Sequence, residues 1–502
     1  MTEQDAFAAA IRAAPHDNTA RLVFADWLAD RSNPMAGCIR LAVRLRANYG
    51  PLHPDHSRSF WQTIGRGIEP GWWVEEAGRL VEEMYEKVGD GGKTAVLIAL
   101  ALAEARLLFA NTREAGGAVS LQHAATLAVE AVSQLYVPTT SREELSRCLR
   151  TAALGTEIID TALMSAFAQA GRDGCLTIVS GPVAPTPHVE VTVQQGLHFP
   201  LAGLDEQEGR ELHRVAVLVS LRPLRVAEVR QALTISSREN TALLCCCPSL
   251  DPEVAELLRS PGSGEQTILC CTSVGHWRES FEDMAAATGA RLISPDQGPV
   301  KITPNHLGRA GSACVAGGVL IIEQPAGPPS GVQSWADRLR ELCWNTTGKE
   351  QERYSERLAQ LAGGVVSVEV SGSSIAETEQ LVGRAECSLH SGRAVIAEGY
   401  VPGGGVAYLR AASHFNGRGG EVLRWALEEP IRALLAGTAL DRESTLVSLR
   451  CDENLGLNVV REELAPWRSD GPINPLREVR TVIECAFASA DRALASGQST
   501  SS

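Results

Sequence analysis

The residues with the clearest chemical potential are Gly89-Asp-Gly-Gly-Lys-Thr94. Small residues in succession let backbone N–H groups turn toward an anion, and the helical sequence that follows adds its positive N-terminal end. That chemistry is phosphate binding. Lys93 reads either as a point-charge partner for a phosphate or as a solvated lysine at a helix start. A P-loop would need a strand and a glycine five residues before Gly92. The chain has Lys87 there, and the preceding Leu80 to Glu86 is an amphipathic helix with Glu82, Glu83 and Glu86. The remaining plain reading of the run is a glycine break between two helices. Metal-binding cysteine chemistry is not indicated: there is no Cys-x-x-Cys, and no His pair has zincin spacing, so no structural metal is expected. Cys245, Cys246, Cys247, Cys270 and Cys271 read as reduced thiols in strand cores.

The elements that must position such a loop follow from pattern. The 502 residues suffice for about three domains. Helical periodicity runs from near Trp73 to about Leu135, with Ala77, Leu80, Val81 and Met84 on one face and a long buried helix from Thr94. Strand-like runs then appear at 176–179, 189–193, 215–219, 243–247 and 267–271, and helical runs such as Val226 to Leu233 separate some of them. Helical sequence returns at Trp335 to Leu361, a strand follows at 365–370, and helices dominate to Leu494. The chain therefore reads as α/β multidomain, an α/β insert between two helical halves. Residues 1–48 form a separate module of three short helices, 49–67 a linker, and 495–502 a small polar tail expected to be disordered. A net charge of −14 argues against nucleic-acid and anionic-membrane partners. The longest apolar run, Ala95 to Ala103, is far short of the roughly 18 residues of a membrane span. The acidic N-terminus does not read as a secretory signal, so a cytoplasmic location is expected.

Several motifs occur together and in order: Gly89-Asp-Gly with Thr94-Ala, Gln360-Leu-Ala-Gly-Gly-Val365, Arg384-Ala-Glu-Cys-Ser-Leu-His-Ser-Gly-Arg-Ala394, Glu398-Gly-Tyr-Val-Pro-Gly-Gly-Gly-Val-Ala407, Ala426-Leu-Glu-Glu-Pro-Ile431, Gly456-Leu-Asn458 and Gly471-Pro-Ile-Asn-Pro475. From about residue 68 to 494 the chain resembles the GroEL-type group I chaperonins. The resemblance implies an equatorial nucleotide domain from 68–136 and 399–494, an intermediate domain from 137–190 and 365–398, and an α/β apical domain from 191–364. It implies ATP or ADP with Mg²⁺ as cofactor. Gly89, Asp90, Gly91, Gly92, Lys93, Thr94, Gly403, Gly404, Gly405, Asn458 and Asn474 would be the nucleotide site, with Asp90 holding the metal. Residues 1–48, through Arg21-Leu-Val-Phe-Ala-Asp-Trp-Leu-Ala-Asp-Arg31, resemble a short bacterial repeat-companion domain, which carries no chemistry.

The same resemblance exposes departures. The family's catalytic aspartate falls at Cys387, and a thiol, largely neutral at pH 7, is a poor acceptor for the attacking water. The aspartate near adenosine falls at Asn474, and the N-terminal phosphate loop and hairpin have no counterpart beyond a faint Thr63-Ile-Gly-Arg-Gly67. Client binding would fall to Phe199, in the loop opening at Gly196, and to Val226, Val229, Leu233, Leu257 and Leu258, which read equally as core. Two functions follow: a chaperonin-like protein that binds nucleotide and unfolded or partner polypeptides with weak or lost ATPase, or a non-catalytic scaffold on a retired chaperonin fold. The missing stitching strands imply that the chain alone forms no stable seven-membered ring and that an intact chaperonin is a candidate partner. Light scattering on the purified chain should give a mass well below seven subunits; a mass of seven or fourteen would overturn this expectation.

Overall fold

The computed structural model describes residues 2–49, 72–109, 120–170, 175–194, 197–200, 209–249, 252–259, 267–272, 276–316, 319–346, 349–362, 365–415 and 420–499. Gly196, Thr63 to Gly67 and the rest of the expected linker after Tyr49 lie outside them. The chain divides into two compact units, one taking residues up to Met164, Ile178–Glu190 and Glu369 onward, the other Ser165–Thr177 and Val191–Val368.

The first unit opens with α1 (Glu3–Ala13), α2 (Asn18–Ala29) and α3 (Met35–Ala47). Thr2 and Asp5 close a reciprocal capping box on α1, and the Asp17 side chain accepts from the Thr19 N–H at 2.8 Å to start α2. Then come α4 (Trp72–Val88), α5 (Gly92–Phe109), α6 (Leu121–Ser133), α7 (Arg142–Ala152) and α8 (Glu157–Ala170). α5 is apolar nearly all round and accordingly buried along almost its whole length. The exception is Glu104, fully buried among apolar neighbours, with Arg21 Nε of α2 at 2.7 Å and Arg46 Nη2 of α3 at 2.6 Å. Arg46 also pairs with the buried Glu429. Burial pushes the Glu104 carboxyl up, but Arg46 and Arg21 together hold it below the usual carboxylate range. The N-terminal helices are therefore packed on α5: Cys38, Leu41, Ala42, Leu45 and Tyr49 share one core with α4, α5 and α6.

Strands β1 (Cys175–Ser180) and β2 (His188–Gln194) are each divided between the two units, and the second unit is built on β3 (Leu197–Pro200) and β4 (Glu211–Val219), helix α9 (Val226–Glu239), β5 (Ala242–Cys247), α10 (Pro252–Arg259), β6 (Thr267–Cys271), α11 (Trp277–Thr288), β7 (Gly308–Ala316), β8 (Val319–Pro325), α12 (Pro329–Asn345) and α13 (Lys349–Ala362). Six of the strands form one sheet in the order β3-β8-β7-β4-β5-β6, parallel across β4, β5 and β6 and antiparallel elsewhere. Cys245, Cys246 and Cys247 are fully buried in β5, where burial alone pushes the Cys245 thiol up to about 12. β3, β7 and β8 were not legible as strands: β7 reads Gly-Arg-Ala-Gly-Ser-Ala-Cys-Val-Ala, small residues without β-branched alternation, which pair because their neighbours complete the ladder.

The chain then continues through β9 (Val365–Ser371), α14 (Ile375–Glu398), β10 (Tyr400–Pro402), α15 (Val406–Ala412), α16 (Gly420–Leu427), α17 (Glu429–Ala436), α18 (Arg442–Cys451), β11 (Leu455–Asn458), β12 (Glu463–Pro466), β13 (Ile473–Pro475) and α19 (Leu476–Ser499). β9 lies between β1 and β2 in a three-stranded sheet. Two expectations are corrected. α19 continues to Ser499 through residues assigned to a disordered tail, because Ala493 and Ala495 extend a helix at little cost. Tyr49, expected to open a linker, is buried at 8% exposure. Among the described residues no helix is long and apolar enough to cross a membrane.

Replacing Glu104 with alanine leaves two arginine side chains buried without their shared carboxylate, and should cost about 3–5 kcal/mol in chemical denaturation. Because the folded carboxyl titrates below its unfolded value of about 4.3, its contribution is fully present above that pH and is lost as pH falls through the lower folded value. Glu104→Ala should accordingly flatten the acid limb of the stability profile.

Candidate functional site

α4 ends at Val88 and α5 begins at Gly92, so Gly89 to Gly91 form a three-residue turn between helices. Gly89 N donates to Tyr85 O at 3.1 Å to close α4, and Ala95 N donates to Gly91 O at 2.9 Å to open α5. Gly89 has φ +75°, and a Cβ there would stand 2.3 Å from the His390 ring, so α14 packs on the turn only because the residue is glycine. Within the turn Asp90 Oδ1 accepts from Gly91 N at 2.7 Å. The plain reading of a glycine break and the phosphate reading thus share one geometry: a tight turn with the N-terminus of an 18-residue helix behind it.

The other glycine loop reaches the same place by a different route. β10 and β13 pair antiparallel with Val401 opposite Asn474, and Gly403 N donates to Pro472 O at 2.9 Å. Gly404 has φ +62°, with Leu457 O 2.5 Å from where a Cβ would be. β11 pairs with β12 and ends at Asn458, whose Oδ1 accepts from Arg461 N at 3.1 Å.

These segments enclose a cavity of about 380 Å³, within the range of small-molecule sites. Of the residues expected at the site, Asp90, Gly91, Lys93, Thr94, Gly404, Gly405, Asn458, Asn474 and Cys387 line it. Gly89, Gly92 and Gly403 do not line it; they shape the turns behind. Lys93 is only 6% exposed, so the solvated-lysine reading falls. Cys387 is 4% exposed and its Sγ donates to Gly89 O at 3.7 Å, turned onto the backbone of the turn. Glu386, one residue earlier, is not among the lining residues.

Among the lining residues that sequence reasoning missed, four bear directly on the chemistry. Glu478, 7% exposed, lies in the first turn of α19, four residues after Asn474 of β13, and accepts from its Nδ2 at 3.2 Å. Arg384 stands one turn before Cys387; Nη1 donates to Thr156 Oγ1 at 3.1 Å, and its buried Nε has no hydrogen-bond partner. Burial pushes its pKa down from the ordinary value. Arg147, 8% exposed, donates to the carbonyls of Arg468 at 2.9 Å and Gly471 at 2.7 Å, and its Nε is likewise orphaned. Tyr49 comes from the N-terminal helices and had no signal in the motif. Chemically the cavity offers cations and a helix N-terminus to an anion, carboxylates at Asp90 and Glu478, and carboxamides at Asn458 and Asn474.

The expected client residues fare differently. Phe199 and Val229 are fully buried in the second unit's cores, and Val226, Leu233 and Leu257 are partly buried and packed against one of them. Phe199 and Val229 are thus core residues, held by the sheet and α9, and do not present a surface to a client. The side chain of Leu258 lies outside the described ones.

Compared with known proteins, the chain is 25% identical over 466 residues to Heat shock protein 60A of Drosophila melanogaster, covering 84% of this chain and 79% of that one. It is 24% identical over 442 residues to the mitochondrial chaperonin homolog Hsp-60 of Caenorhabditis elegans, covering 80% and 75%. Among solved structures it resembles the chaperonin gp146 of the bacteriophage EL 2 (Pseudomonas aeruginosa), crystallised in the presence of ATP-BeFx, with a TM-score of 0.61, 16% identity and coverage of 86% of this chain and 88% of that one. The chain is a divergent relative of the GroEL-type chaperonins. No family model matches it. This chaperonin kinship covers most of the chain and supports a role in assisted protein folding.

Alkylation should separate the cysteines of this chaperonin relative. Cys451, exposed, should be labelled in the folded protein, whereas Cys387 should react only after unfolding; rapid native labelling of Cys387 by mass spectrometry would show that its thiol is not held against Gly89.

Proposed function

We propose that the cavity binds an adenine nucleotide with Mg²⁺, that hydrolysis there is weak or lost, and that the protein acts on unfolded or partner polypeptides. The observation that carries the reading is the convergence of the Asp90 to Thr94 turn, Gly404, Gly405, Asn458 and Asn474 on one cavity. The residues fit the group. Two orphaned guanidinium Nε atoms, on Arg147 and Arg384, are donors suited to polyphosphate. Asp90 is the kind of carboxylate that Mg²⁺ takes singly or in pairs alongside phosphate oxygens and waters, and Asn458 and Asn474 offer amides for the base and ribose. When bound, the metal would neutralise charge on the phosphates.

What this chain's residues do is hold and orient. The turn and the start of α5 receive the phosphates, and the glycine loop allows close backbone approach. Activation of a water needs an acceptor in line with the terminal phosphate. At Cys387 the chain offers a thiol whose hydrogen is committed to Gly89 O, which supports weak or absent turnover.

The scaffold reading has an observation of its own: Phe199 and Val229, two of the residues expected to grip clients, are core. In that reading no nucleotide is required, and partners dock without a folding cycle.

Calorimetry with Mg·ATP and Mg·ADP tests the main reading. Both should bind, Asp90→Ala should weaken binding in Mg²⁺ more than in chelator, and steady-state phosphate release should be about a hundred- to ten-thousand-fold below that of a competent chaperonin. Cys387→Asp should raise turnover without restoring it fully. Robust release by the unmutated protein, abolished by Asp90→Ala, would overturn the weak-hydrolysis reading. No nucleotide binding at all would favour the scaffold.

A further inference from the structure

The N-terminal helices contribute a side chain to this cavity. Tyr49, one residue past the end of the segment matched to the companion module, lines the cavity, and its hydroxyl lies 2.7 Å from Thr94 Oγ1 in the first turn of α5. Its placement is firmly built. The ring is part of the core shared by α3, α4, α5 and α6. Arg46, one turn earlier, is tied to Glu104 of the same α5 that carries Thr94, and to Glu429, next to the cavity-lining Pro430 of α17. Two buried ion pairs therefore clamp the segment before Tyr49 to the two helices that wall the cavity.

We propose that Tyr49 is a positioning residue of the phosphate end: by donating its phenolic proton to Thr94 Oγ1, it leaves the Thr94 hydroxyl proton directed at an anionic ligand. A hydroxyl has one proton to give and can accept at the same time, so fixing one neighbour as donor fixes where the other proton goes. The N-terminal helices are then part of the nucleotide site, standing where the resemblance would have placed a phosphate loop. The inference rests on the nucleotide reading, and it makes polyphosphate preference, rather than base recognition, the property those helices set.

The test is calorimetry of the full chain with ATP, ADP and adenosine, comparing the unmutated protein with Tyr49→Phe, Thr94→Val and the double variant. Removing only the hydroxyl should weaken ATP and ADP by roughly five- to tenfold, the size of one hydrogen bond, and leave adenosine unchanged. Thr94→Val should do the same, and the double variant should lose little more than either single, because both break one relay. Thermal unfolding of each variant shows whether it remains folded; Thr94→Val keeps the test open if Tyr49→Phe does not. Equal losses for ATP and adenosine, no loss, or additive losses would overturn the role of Tyr49 while the nucleotide reading stands. Failure of the unmutated chain to bind ATP would overturn both.

Discussion

A single buried carboxylate organises the first unit. Glu104 sits at zero exposure within the largely apolar helix α5, and an uncompensated charge there would be prohibitive. It is tolerated because Arg21 and Arg46 converge on it from two different N-terminal helices, and Arg46 passes the charge on to Glu429 at the head of α17. Buried pairs of this kind contribute less to net stability than to uniqueness of geometry: few other arrangements satisfy all four groups at once. The consequence reaches the cavity, since α5 begins with the residues that line it and α17 carries another part of its wall.

The cavity itself is a junction of turns, two of them made possible by glycines in a conformation other residues avoid, and each anchored on a different part of the chain. The Gly89 turn is pinned by α14 through His390 and Cys387, the Gly403 to Gly405 loop by the β10 and β13 pairing, and Asn458 by the short β11 and β12 ladder. The buried thiol at position 387 leaves the turn undisturbed, because it donates to the Gly89 carbonyl.

Local pattern was enough for much of the architecture. Period 3.6 in α4, the all-apolar run of α5 and the β-branched runs of β2 and β4 identify themselves, since each is imposed by the face it must bury. The ordered motifs from Gly89 to Pro475 carried the fold class and part of the cavity lining. What stayed hidden depended on partners distant in sequence. Strand β7, poor in β-branched residues, is a strand because β4 and β8 flank it. Phe199 and Val229 look like client-gripping residues as a string and are core only once the sheet and α9 close over them. Glu478 and Arg384 reach the cavity through helix phase, and Tyr49 through a clamp at Arg46, 58 residues from Glu104 and 383 from Glu429 along the chain.

The amino-acid sequence by itself determined the helix, α/β, helix order, the glycine turn after Val88 and the absence of a carboxylate at position 387, because these are properties of residue type and spacing. The tertiary structure alone decided that the N-terminal helices belong to the wall of the site, that Lys93 is buried and that two of the presumed client residues are not surface. The physical reason is the same in each case: burial and charge compensation are settled by which distant groups arrive at one place, and Glu104 can choose Arg21 and Arg46 only after the helices have packed.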